Sequence, residues 1–176
     1  MRGLRRVIED TGSSPGADQA VAERQPARRP RIKQDFDAIQ RGEFADQAFE
    51  RIRGYFEVSC RELNEIGEGL KAKFEKMDDT AFTCTVVNRG RQRGSEAHIT
   101  VRNGKGRGHF GDINYVFQRY ADGNTSNGSI RVEADDYNMF LTLNTFHNRE
   151  ESKYSFEQAA EALWLEFVKH AAIEYE

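Results

Sequence analysis

Ala45, Phe49, Ile52, Phe56, Ser59, Leu63, Ile66 and Leu70 recur at spacings of four and three. That period lays them along one stripe of an α-helix, and the Glu, Arg, Lys, Asp and Asn between them give the opposite face to water. No proline interrupts the run, so a continuous helix is expected over residues 45–77, roughly 50 Å long at about 1.5 Å per residue. Gly67 and Gly69 mark the expected bend, and beyond them the stripe slips, with Phe74 apolar where Lys73 is expected to be. The strands that follow hold about seven residues, or roughly 23 Å each. The helix should therefore overhang the sheet. The stripe is expected to pack on its own sheet, and the overhang makes Phe49, Ile52, Phe56, Leu63, Ile66 and Leu70 the candidate interface, with another protein or with a second copy in a homodimer. Upstream, Asp35 is expected to cap a short turn over residues 35–40, which Gly42 separates from the long helix.

Downstream the period changes to two. Phe82, Cys84 and Val86 alternate with Thr83, Thr85 and Val87, and Ala97, Ile99 and Val101 with His98, Thr100 and Arg102. Ile113, Tyr115 and Phe117 continue the pattern. Ile130, Val132 and Ala134 make a fourth strand, and residues 139–146 a fifth. Turn residues separate these runs, including Asp122-Gly123 and Asn127-Gly128. Such short connections favour an antiparallel meander. Ser155-Phe156-Glu157-Gln158 reads as a capping box. It opens a second apolar stripe of Phe156, Ala160, Leu163, Phe167 and Ala171, widened by Trp164 and Val168. The expected fold is α+β in two layers: a long N-terminal helix, a five-stranded antiparallel meander sheet and a C-terminal helix.

Charge divides the chain. The net charge of −3 hides a basic N-terminal stretch ahead of an acidic remainder. Residues 1–34 carry Gly, Ser, Pro, Ala and Arg with few large apolar groups and are expected to be a disordered basic tail. Residues 35–176 make a single domain. No apolar run is long enough for a membrane span, and the start lacks a secretory apolar core. Cys60 and Cys84 are spaced like neither a metal knuckle nor a redox motif and read as buried, reduced thiols of a cytoplasmic protein.

Two basic glycine loops are the candidate anion sites. Residues 104–111 contain a formal G-x-G-x-x-G, but that cradle works between a strand and a helix. Here strand leads to strand, which excludes a dinucleotide fold. Lys105, Arg107 and His109 in this loop, with Arg91 and Arg93 in the other, are the groups that would grip a phosphate or carboxylate. Nucleic acid is disfavoured as a partner. Successive meander turns lie at opposite sheet ends, about 20–25 Å apart, and the acidic domain repels a polyanion. The four histidines show no metal-ligand spacing, and no nucleophile motif nominates catalytic residues. No catalytic residue, metal or cofactor is expected. Thr83, Thr85, His98, Thr100, Arg102, Asn114, Gln118 and Arg131 are expected on the second sheet face, a binding surface if helices leave it open.

A resemblance runs through the second half. Gly111-Asp112-Ile113-Asn114-Tyr115, Asn127-Gly128-Ser129, Val132-Glu133-Ala134-Asp135-Asp136-Tyr137 and Phe156-Glu157-Gln158-Ala159-Ala160-Glu161 with Leu163-Trp164 are similar to an uncharacterised bacterial module that sometimes accompanies TIR-type signalling domains. The resemblance implies an accessory or sensing role and brings no catalytic residues. The expected function is a non-enzymatic interaction or sensing module. Anion or small-ligand binding through the glycine loops is one alternative, and an enzyme without a local motif is another.

Overall fold

The computed structural model describes residues 30–90, 95–105, 111–145 and 152–176. Most of the basic N-terminal stretch, with the disorder expected for it, lies outside the described residues. One compact unit spans Ile32–Glu176. In it α1 (Ala38–Ile66) leads to β1 (Leu70–Asp78), β2 (Ala81–Asn88), β3 (Ser95–Asn103), β4 (Ile113–Val116), β5 (Gly128–Ala134) and β6 (Met139–Thr145), and α2 (Phe156–Lys169) follows. The six strands pair antiparallel in chain order. Both helices pack on one face of this meander, where Phe56 of α1 meets Phe82 of β2 and Trp164 and Phe167 of α2. The architecture is therefore α+β in two layers, as the hydrophobic pattern implies.

The long element differs from expectation at both ends. Asp37, not Asp35, caps α1: its carboxylate accepts from the Gln40 amide at 2.8 Å, and the Gln40 side chain accepts from the Asp37 amide. The helix then runs straight through Gly42, where open solvent surrounds the missing side chain. At its other end the helix stops at Ile66, and Gly67 takes an extended conformation. Residues 70–77, expected to be helix, belong to an edge strand, β1, so the sheet has six strands rather than five. The slip in the stripe is the switch of period from helix to strand. Leu70, Ala72 and Phe74 turn to the core, while Lys71, Lys73 and Glu75 turn away.

This shortening removes the overhang. The buried stripe of α1 runs from Ala45 to Leu63, about 27 Å at the helical rise, which matches a nine-residue strand of about 30 Å. Phe49, Ile52, Phe56 and Leu63 are wholly covered by their own chain and present no docking surface. Leu70 packs against the core from β1. Ile66 alone of the six expected interface residues is exposed, at 67 %.

Candidate binding face

Strand alternation turns a polar set of side chains away from the helices. Register then places them in rows across the sheet. Lys73 pairs with Thr85 and Thr85 with His98, while Lys71, Val87 and Glu96 form the neighbouring row. Glu75, Thr83, Thr100 and Val116 form a third. Part of this outer face is covered. The β4–β5 connection, residues 117–127, folds back over β3 and reaches β1. Thr100 Oγ1 donates to the Gln118 carbonyl at 2.7 Å and accepts from the Ala121 amide at 3.2 Å. The Arg102 guanidinium donates to the Ala121 carbonyl at 3.2 and 2.6 Å. Tyr120, in the left-handed conformation at φ 51°, donates its hydroxyl to Glu75 at 2.7 Å, and Arg119 reaches the same carboxylate at 3.2 Å. Under this roof Thr83 and Thr100 are buried.

The roof stops short of the first two rows. There Thr85 Oγ1 lies 3.0 Å from His98 Nδ1, and His98 Nε2 lies 3.3 Å from Glu96. Lys71 and Lys73 are exposed beside them, Lys73 paired with Glu75 at 2.9 Å. Lys73 first, then Tyr120 and Arg119, hold the Glu75 carboxyl down at about 2. The β2–β3 connection leaves at Asn88 and returns at Ser95 at this end of the sheet. Its Arg91 and Arg93 lie outside the described residues.

The other half of the outer face is more closed. Asn114, Ser129 and Thr142 are buried, while Arg131 and Glu133 are exposed. Gly111, at φ 107°, passes so near β5 that a Cβ would lie 2.9 Å from that of Ser129. Asp112 accepts from the Val132 amide at 2.7 Å. Of the second glycine loop's candidate residues, Arg107 and His109 lie outside the described residues. Lys105 is described and its charge is engaged. It pairs with Asp46 of α1 at 2.7 Å, Asn103 donates to the same carboxylate at 2.7 Å, and Lys105 followed by Asn103 hold Asp46 below the usual carboxylate range. The two loops leave opposite ends of β3, as the meander requires.

Two further arrangements escaped the sequence. Tyr115, buried, donates to Glu166 of α2 at 3.3 Å and occupies the space that a side chain at Gly128 would fill. Burial pushes the Glu166 carboxyl up despite that donor and the nearby His170. Cys60 and Cys84 meet in the core. Among the described residues no three His, Cys, Asp or Glu side chains gather as a metal ion would need, and no described helix is long and apolar enough to cross a membrane.

The chain is similar to two proteins of Sinorhizobium fredii. One, described as "Uncharacterized protein y4kM", is 55 % identical over 111 residues, which are 62 % of this chain and 95 % of that protein. The other, described as "Uncharacterized protein y4lF", is 32 % identical over 174 residues, which are 89 % of this chain and 52 % of that protein. The chain thus spans about half the length of the second relative. No solved structure matches it. The Y4lF protein domain family matches residues 71–169, from β1 to the end of α2 and more than half of the sequence, and the chain belongs to that family.

Proposed function

We propose that this chain is a non-enzymatic binding module, and that the unroofed end of its outer sheet face receives a folded protein partner in an accessory or sensing role. One observation carries the reading. Both helices lie on one face, the roof ends before the Lys73–Thr85–His98 row, and polar groups of three strands are left side by side on the flat of the sheet. Signs are mixed there, Lys71 and Lys73 against Glu96, with Glu75 at the edge of the roof, so a polyanion would meet carboxylates beside the lysines. A protein surface of mixed polarity fits better. Thr85, His98 and Glu96 have the composition of an acyl-transfer triad. Yet the threonine lies mid-strand on the sheet, paired with Lys73 on one side and His98 on the other, and not at the sharp turn from which an acyl-transfer nucleophile usually projects. The comparisons support a portable module: the chain aligns with nearly all of one relative but only about half of another. The accessory role implied by the resemblance to modules beside TIR-type domains is of the same kind.

The test is site-specific photo-crosslinking in the cells that carry the protein, with the probe at Lys71 or His98 and, as control, at Arg61 on the exposed side of α1. A discrete adduct is expected from both sheet sites and not from Arg61, and Thr85→Arg should abolish it. Equal labelling from all three sites, or none from the sheet, would overturn the reading.

A further inference from the structure

The two cysteines stand 24 residues apart in the chain, yet their Sγ atoms are 3.8 Å apart. Cys60 lies on the buried stripe of α1 between Phe56 and Leu63, and Cys84 lies mid-strand on β2 between Phe82 and Val86. Both are free thiols, 3 % and 0 % exposed, and the sequence holds no other cysteine. The two sulfurs therefore lie in van der Waals contact across the helix–sheet interface, within about 2 Å of the about 2.05 Å of a disulfide.

We propose that Cys60 and Cys84 are a redox pair, oxidised by a peroxide to a reversible disulfide that straps α1 to β2. The loop so closed holds the last turn of α1, the Gly67–Gly69 link and all of β1, the edge strand. Cys60, the residue with some remaining exposure, reacts first. Cys60 gives up its proton and its sulfur attacks one oxygen of hydrogen peroxide. The O–O bond breaks, a sulfenic acid forms, and the departing hydroxide takes the proton to become water. The Cys84 sulfur then attacks the sulfenic sulfur. The S–S bond forms, the S–O bond breaks, and hydroxide leaves with the Cys84 proton as a second water. Two thiols have lost two electrons, and one peroxide has become two waters. Burial and the neighbouring Cys60 keep the Cys84 thiol well above its ordinary pKa. Dithiol exchange restores the pair.

The experiment treats the full-length folded protein with hydrogen peroxide, alkylates remaining thiols, and measures intact mass, linked peptides and melting temperature. Expected are the loss of two hydrogens' mass, a Cys60–Cys84 linked peptide, and a melting temperature raised by about 5 °C or more because the unfolded chain is constrained. Dithiothreitol should reverse all three. Two thiols still free after treatment, Cys60 oxidised to sulfinic acid without a link, a disulfide between two chains, or a link that leaves the melting temperature unchanged would each overturn the proposal.

Discussion

Glu166 shows how a single position depends on the fold around it. Its carboxyl is raised above the ordinary value of 4.5 chiefly because α2 holds it half-buried beside Tyr115. A folded-state pKa above the unfolded one means that the folded chain holds the proton more tightly. The stability this gives is complete below the unfolded value and is lost as pH rises through the folded one. Glu166→Gln keeps the size and the acceptor for the Tyr115 hydroxyl while removing the charge. The variant should unfold at a higher urea concentration than the parent at pH 7, with the advantage fading as pH falls through the folded value and gone below about pH 4; urea midpoints across that range measure it. The sequence could not reveal this environment. The partner tyrosine is 51 residues away, and in α2 the glutamate reads as one more solvated charge. Gly128 is similar: it reads as a turn residue, whereas its lack of a side chain is what admits the Tyr115 ring.

Elements declare themselves when their signals are local. The capping box of α2 is legible because Ser155 and Gln158 are three residues apart and bond only to each other's neighbourhood. The end of α1 is not, because it is settled by pairing. Leu70, Ala72 and Phe74 continue an apolar pattern that fits helix or strand, and only β2, arriving later in the chain, decides for strand. The structure then closes the junction with Asn64. From the last turns of α1 its amide side chain donates to the Ala72 carbonyl at 2.9 Å and accepts from the Ala72 amide at 2.8 Å. It thereby occupies, at one residue, the place of a neighbouring strand on the free edge of β1. Asn64→Ala removes both bonds at a solvent-exposed site, so a loss of about 1–2 kcal/mol is expected, read from urea denaturation. Amide exchange at Ala72 should rise while the α2 amides keep their protection. Unchanged exchange at Ala72 would show that the asparagine does not guard the edge.

Across the whole molecule the sheet is held from both sides, by helices on one face and by the β4–β5 roof on part of the other. The sequence shows the two faces of each strand but not the roof, whose contacts join residues 117–127 to β1 and β3 through hydroxyls and carbonyls with no pattern of their own. Two of these contacts respond differently to a change of conditions. Thr100 is buried, so Thr100→Val, which keeps the shape, leaves the Ala121 amide without its acceptor and should cost about 1–3 kcal/mol at any pH. Glu75 is different because it titrates. Its folded pKa of about 2 lies below the ordinary 4.5, so its contribution is present above about pH 4.5 and drains away as pH falls towards 2. The roof should therefore loosen from the β1 end first in acid. Amide exchange or limited proteolysis within residues 117–127 should increase between pH 5 and pH 2, ahead of any change in the helices. In Glu75→Gln the same segment should already be looser at pH 7 and show little further dependence over that range. A roof that stays equally protected in both proteins at every pH would mean that the Thr100 and Arg102 contacts hold it alone. The unroofed rows beside it, Lys73–Thr85–His98 and Lys71–Val87–Glu96, would then keep a fixed boundary in acid.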